Sequence, residues 1–302
     1  MGVITTGTHP KALWPGVRAF FGKEYARHAE EHRDLFEIGT SDKAYEEDVL
    51  TTGFGLAPVK TEGSAINFDT ETQGFTKRYT NVAYALGYIV TYEELRDNLY
   101  KDKSFKRAAQ LAFSMATTKQ TVAANVYNRA FDSNYTGGDG VELLSASHPT
   151  RSGNQSNIIA TAADLSEAAL EDLVIQAMQA KNDRGLQINL MPKSLLVHPV
   201  NYFEANRLLM SVQQSGTANN DVNVLRANGV IPEGAKVCHY FTDPDAWFIR
   251  TNCPNGMTFL EREAMTFDQD NDFDTKNAKA SAYMRFVCGW SDWRGVFGSQ
   301  GA

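Results

Sequence analysis

The chain has 302 residues, enough for about two domains and a sizeable buried core. Hydrophobic residues make up 42% and charged residues 22%, ordinary globular usage that excludes wholesale disorder, and 36 Asp and Glu against 29 Lys and Arg (net −7) argue against a dedicated nucleic-acid binder. No apolar run reaches the ~20 residues of a membrane span, and the start has neither the basic-then-apolar pattern of a signal peptide nor, with Gly7 at the required Ser/Thr position, a myristoylation signal.

Residues 1–45 read as an extended arm with one helix. Pro10 and Pro15 keep its beginning irregular, and the helical pattern runs over 17–36 with Phe20, Phe21, Tyr25, Leu35 and Phe36 as apolar points. His28 and His32 stand four apart on that helix, a spacing able to chelate a metal; without HExxH around them, solvated histidines are expected. Residues 46–90 read as β. Gly53, Gly55, Pro58, Gly63 and Gly74 space out a polar first half, for which a two-stranded ribbon over 51–80, projecting from the body and needing a partner surface, is the natural form. Val82, Tyr84, Leu86, Tyr88 and Val90 then alternate as a half-buried strand.

Thr91-Tyr92-Glu93-Glu94 has the form of a capping box, and no glycine or proline follows before Phe131. Leu95, Leu99, Phe105, Ala108, Ala112, Met115, Val122 and Val126 recur at helical spacing, so this stretch is either one strut of ~40 residues, about 60 Å long, or two helices joined at 101–104. The Gly-, Ser- and Asn-rich segment 133–163 marks a loop and a domain boundary. A second body follows. Ser166 caps a helix running to about Asp183, which stops at a glycine cap, Gly185; 188–197 is a strand; Pro199 opens a helix reaching Leu209; and 235–240, 246–250 and 257–262 are short strands. The acidic run FDQDNDFDTKNAKA is expected as a solvated loop, AYMRFVCGW as a strand, and Trp290-Ser291-Asp292-Trp293 as a turn before a last strand.

Chemistry-bearing patterns are weak throughout. Asp268, Asp270 and Asp272 match the first ligands of a calcium loop, but Phe273 and Lys279 occupy the positions of its glycine and its bidentate glutamate. Cys238-His239 are adjacent rather than at a ligand spacing, and Cys238, Cys253 and Cys288 are too few and scattered for a disulfide framework or zinc site; buried reduced thiols are expected. Gly137-Gly138-Asp139-Gly140 lacks the Lys-Ser/Thr of a phosphate loop. Ser145, Ser147 and His148 lack a nucleophile elbow, so a polar loop is expected there. No catalytic residue, cofactor or metal ligand is assigned.

The order of the pieces carries more than any motif. VAYALGYIVTYEELRDN resembles the point where an extended loop returns into a spine helix. LSEAALEDLVIQAMQAKNDRGLQINLMPKSLLVHPVNYFEANRLL resembles the helix, glycine, strand and helix unit of an axial domain, and AYMRFVCGWSDWRGVFG resembles closing peripheral strands. Together these resemble the major capsid proteins of tailed bacteriophages, with the α+β Hong Kong 97 fold. The resemblance implies an N-terminal arm (1–49), an extended β-hairpin loop (50–88), a peripheral domain with a long spine helix (89–139 and 265–302) and an axial domain (140–264). It further implies self-assembly through hexamers and pentamers into an icosahedral head around double-stranded DNA contacted non-specifically, with a portal and, in some relatives, a decoration protein. The chain starts about 50 residues before the loop, without the scaffolding segment some relatives carry, so a separate scaffolding protein is expected. The resemblance also implies no membrane, synthesis in the host cytoplasm and a final place in the virion. Assembly-interface candidates are Gly55, Lys60, Phe68, Phe75 and Lys77. Some relatives crosslink a loop lysine to a neighbour's asparagine; Lys60 and Lys77 lie in the loop, but exposed lysines are common. Alternatives are an encapsulin-type nanocompartment shell, which shares the fold, a tail or adaptor protein, and a soluble enzyme with a site in 140–264.

Overall fold

The computed structural model describes residues 14–96, 100–214, 221–272, 274–275 and 277–302. The irregular stretch expected around Pro10, Leu99 in the helical pattern and the Phe273 position of the calcium register lie outside them. The first element among the described residues is α1 (Trp14–Tyr25), which places Pro15 in its first turn, where a missing N–H costs nothing; proline therefore starts this helix instead of keeping it irregular. Val17 and Phe21 are buried, and Phe21 stacks on Phe267 at 4.5 Å.

The predicted helix over 17–36 breaks after Tyr25; a single turn, α2 (His32–Leu35), leads into β1 (Glu37–Thr40). His32 is not solvated but buried. Its backbone N–H donates to Gln120 Oε1 at 2.8 Å, which leaves Gln120 Nε2 to donate to His32 Nδ1 at 3.0 Å, so the ring sits as a neutral acceptor. Burial first, then the Lys119 cation, holds its pKa down to about 4 from an ordinary 6.5. The unfolded chain therefore binds the extra proton between these values. The stability His32 contributes is complete above pH 6.5 and is lost as pH falls toward 4. Thermal midpoints measured across that window should fall more steeply for the wild type than for H32Q; parallel curves would exclude this assignment.

β2 (Tyr45–Thr51) and β3 (Gln73–Thr80) form an antiparallel ribbon with Glu47 opposite Arg78, an ion pair at 2.7 Å. β4 (Val82–Val90) follows, Tyr84 stacking on Phe286 at 4.8 Å. After α3 (Tyr92–Arg96) comes α4 (Tyr100–Asn128). Its 29 residues give about 43 Å, shorter than the predicted strut, and it runs unbroken through 101–104. Ala108, Ala112, Ala123 and Ala124 are fully buried, and their small side chains let the helix lie close on its sheet.

The second body contains α5 (Glu167–Met178), capped by Ser166 Oγ accepting from Ala169 N. The helix ends before Asp183; Gly185 (φ +83°) instead serves a separate tight turn closed by Asn182 N to Leu186 O at 2.7 Å. Then follow β5 (Pro192–Val197), a 3-10 turn from Pro199 feeding α6 (Tyr202–Met210), α7 (Val224–Ala227), β6 (Ala235–Val237) and β7 (Trp247–Thr251). β8 (Met257–Asn271) and β9 (Ala278–Trp290) make a long hairpin, and β10 (Val296–Ser299) closes the chain.

The strands form two four-stranded sheets, β1-β8-β9-β4 and β10-β7-β5-β6, beside the ribbon. The first carries α1 and α4 on one face, around stacked Phe259 and Phe286. The second is buried on both faces. Leu196, Phe248 and Val296 point toward the α4 core, while Leu195, Val197, Trp247, Ile249 and Phe297 point toward α5 and α6. That is why β7 and β10 are buried at every position, without the alternation of a half-exposed strand.

Two expectations change here. The acidic run is a loop only in its middle, because Phe267 to Asn271 extend β8 and pair with Ala278 to Ala282 of β9, leaving the stretch between them as the hairpin connection. The boundary expected at 264/265 falls inside β8, and β10 belongs to the second sheet, so the C-terminal strands divide between the two bodies. Cys238 and Cys253 are buried and Cys288 is half-buried; all are free, and burial pushes Cys238 and Cys288 up to about 12, a range in which thiols are unreactive.

Candidate assembly interface

The ribbon is shorter than its sequence signature. Its ladder stops at Thr51 and Gln73; Thr52 N still donates to Thr72 O at 3.1 Å, and then the chains part. Over residues 53–71 no strand pairing remains. Gly53 (φ +66°) and Gly63 (φ +79°) take backbone conformations that break a ladder. The result is a glycine-jointed loop on a two-stranded stalk.

The stalk is fixed to the body by β3. Tyr79 is buried, its hydroxyl 2.6 Å from Ser291 Oγ, and burial raises its pKa to about 12. Lys77 Nζ donates to Thr136 O at 3.2 Å and lies 4.9 Å from the centre of the Trp290 ring. Burial draws the Lys77 ammonium below the usual lysine range, while Asp139 opposes this. Gly138 leaves the room for this docking: a Cβ there would stand 3.2 Å from Thr76 O. Between stalk and body runs a groove of about 260 Å³ lined by Val49, Leu50, Phe75, Lys77, Pro254 and Asn255.

Among its polar residues the loop carries large apolar side chains that are uncovered. Leu56 is 83% exposed, Val59 94% and Phe68 89%, with Phe54 and Ile66 also open. Five large apolar side chains on one projecting segment are a surface that water penalises and a partner would cover.

The five residues singled out from sequence thus separate. Lys60 and Phe68 lie on the open loop. Gly55 sits at the loop's neck, its N–H 2.7 Å from Asp69 Oδ2. Phe75 and Lys77 belong to the stalk and face the groove. Sequence reading missed Leu56, Val59 and Asp69; the every-second-residue spacing of Phe54 and Leu56 was the available signal.

His148 serves the packing of the core. It is fully buried, stacked on Trp293 at 4.4 Å, with Nδ1 2.7 Å from Asp139 Oδ2 and Nε2 3.1 Å from Asn157 Oδ1. The loop is polar, as expected, but its histidine forms part of the core, and its ring nitrogens face Asp139 and Asn157 instead of Ser145 or Ser147. Among the described residues no group of three or more His, Cys, Asp or Glu could hold a metal, and no helix is long and apolar enough to cross a membrane.

Comparison with known proteins places these features. A family model described as phage capsid protein matches residues 74–298. No curated protein sequence matches the chain. Among solved structures, the virus-like particle from Pyrococcus furiosus aligns with a TM-score of 0.54 at 11% identity, over 95% of this chain and 99% of that one. The capsid of the empty GTA particle aligns with 0.58 at 13%, over 91% of each chain. The capsid of cyanophage P-SCSP1u aligns with 0.56 at 12%, over 89% and 87%.

Proposed function

Because the chain belongs to the phage capsid protein family and has the Hong Kong 97-like α+β fold, we propose that it is the major subunit of a tailed-phage head, closing an icosahedral shell around packaged double-stranded DNA. Its role is structural, in the virus particle, and its principal partner is a further copy of itself. The observation that carries this reading is the loop at 53–71, whose five large apolar side chains have no cover on its own body. In a shell each subunit covers its neighbour's loop, and many modest interfaces add through effective concentration.

The reading extends to parts and partners. The arm (1–49), loop (50–88), peripheral (89–139 and 265–302) and axial (140–264) parts keep their assigned roles, with the peripheral part taking all of β8 and the axial part taking β10. Lys60 and Phe68 contact a neighbour through the loop, and Gly55 shapes its neck. A portal, a scaffolding protein and DNA complete the set. The net charge of −7 supports a container that holds DNA loosely, since each phosphate contact from a basic wall would add salt-dependent affinity. Synthesis is in the host cytoplasm.

Negative-stain electron microscopy and size-exclusion chromatography of the purified protein test the reading. Closed shells, or five- and six-membered rings, support it. A monodisperse monomer or dimer, unchanged by co-expressed scaffolding protein, sinks it. Nuclease-resistant DNA inside particles from producing cells separates a phage head from a nanocompartment, in which protein cargo would be found. Removing residues 54–71, whose ends are held together by the Thr52–Thr72 bond, should leave a folded, soluble body that builds no shells. Normal shells from that variant would remove the loop from the interface.

A further inference from the structure

The loop that projects from the stalk touches its own body through polar groups at one place. Asp69 Oδ2 accepts from Gly55 N at 2.7 Å, and Oδ1 accepts from Thr70 N at 2.8 Å. The same carboxylate receives Arg184 Nη1, at 3.1 and 3.3 Å, and Arg184 Nη2 donates to Thr70 O. One carboxylate thus ties together the outgoing strand of the loop, its returning strand and the second body. Among the described residues, no other hydrogen bond or ion pair joins 53–71 to the rest of the molecule.

Both ends of the contact are built for it. Arg184 sits in the tight turn 182–187, where Asn182 Oδ1 accepts from Arg184 N at 3.0 Å and from Leu186 N at 2.8 Å. Its side chain is mostly covered, and a planar fork held on a fixed turn loses little freedom on pairing. On the loop side, Gly55 provides close approach: a Cβ there would meet Asp69 Oδ2 at 3.3 Å. The Gly55 and Thr70 N–H groups, then the Arg184 cation, hold the Asp69 carboxyl below the usual range, so it stays charged through neutral and mildly acid pH.

We infer that Asp69–Arg184 is a latch that fixes the direction in which the free subunit presents its loop, before any neighbour is present. The apolar side chains cannot do this, because they lie open to water instead of on the body. A loop already aimed loses less conformational freedom when it docks. The assembly half of this inference rests on the shell reading above; the latch itself is a property of the lone subunit.

The test uses hydrogen exchange on the free full-length subunit, with light scattering of assembly alongside. In R184M the Gly55 and Thr70 amides should exchange about tenfold faster than in the wild type at an unchanged thermal midpoint. Shell formation should then begin at several-fold higher subunit concentration. D69N, on the exposed loop, should do the same and carries the test if R184M fails to fold. Equal exchange in variants and wild type overturns the latch. Faster exchange with unchanged assembly overturns its role in docking. Latch-dependent exchange in a wild type that never forms shells overturns the functional reading and leaves the latch standing.

Discussion

Ala112→Pro should leave little folded subunit. Ala112 lies well inside α4, fully buried beside Leu111 and Met115. Proline there removes an i→i−4 hydrogen bond and clashes with the preceding turn, about 3 kcal/mol or more. Its ring must also fit where the helix lies close on other core residues, adding roughly 1–3 kcal/mol. Against a total stability of about 5–15 kcal/mol this is a large fraction. Thermal unfolding followed by circular dichroism should show a midpoint lowered by roughly 10–20 °C, or no soluble protein. An unchanged midpoint would contradict the place of α4 at the centre of the first core.

Asn157→Ala should be nearly as damaging, with no change of backbone. Asn157 is fully buried. Its Nδ2 shares two N–H groups among the carbonyls of Leu143, Val296 and Trp293, at 2.8, 3.0 and 3.3 Å, and its Oδ1 accepts from Ser145 N at 2.9 Å and faces His148 Nε2. One side chain therefore joins the loop after α4 to the turn before β10. Alanine strands several buried polar groups at once, each costing about 1–3 kcal/mol, so a loss of roughly 4 kcal/mol is expected even after partial relaxation. Asn157→Asp keeps the acceptor, forfeits both N–H groups and places a carboxylate against carbonyl oxygens; it should be no better. Denaturant unfolding measures both, and a loss under about 1 kcal/mol for alanine would mean that water replaces the amide.

These two residues also show what a sequence exposes and what it hides. Ala112 lies in a glycine- and proline-free run with apolar residues at threes and fours, so its helix is readable locally. The same holds for β4, with its alternation from Val82 to Val90, and for the Ser166 cap. Asn157 gave no sign, because its partners at Trp293 and Val296 lie more than a hundred residues away and a lone asparagine in a polar loop looks like any other. The acidic end of β8 misled for a related reason: Asp268 and Asp270 are poor strand formers, but pairing with Ser281 and Lys279 across the hairpin outweighs local preference. At the loop, glycine spacing announced a projection but not where the ladder stops, since that depends on backbone angles at Gly53 and Gly63. Asp69 and Arg184 were invisible as a pair because only the fold brings them together.

The strand order also sets when in its synthesis the chain becomes a finished tile. The first sheet joins β1 and β4 to β8 and β9, and the second is closed by β10. The first is complete only once Trp290 is made and the second only once Ser299 is made, although α4 and most of the second body are made long before. Such distant pairings close late, and until then the nascent chain has open sheet edges. A chain that stops before β9 lacks a strand from each sheet, and with it the stretch around Trp290 and Ser291 on which the stalk rests. Such a fragment has no surface on which to dock its stalk, so the position of the loop depends on strands made more than two hundred residues after it.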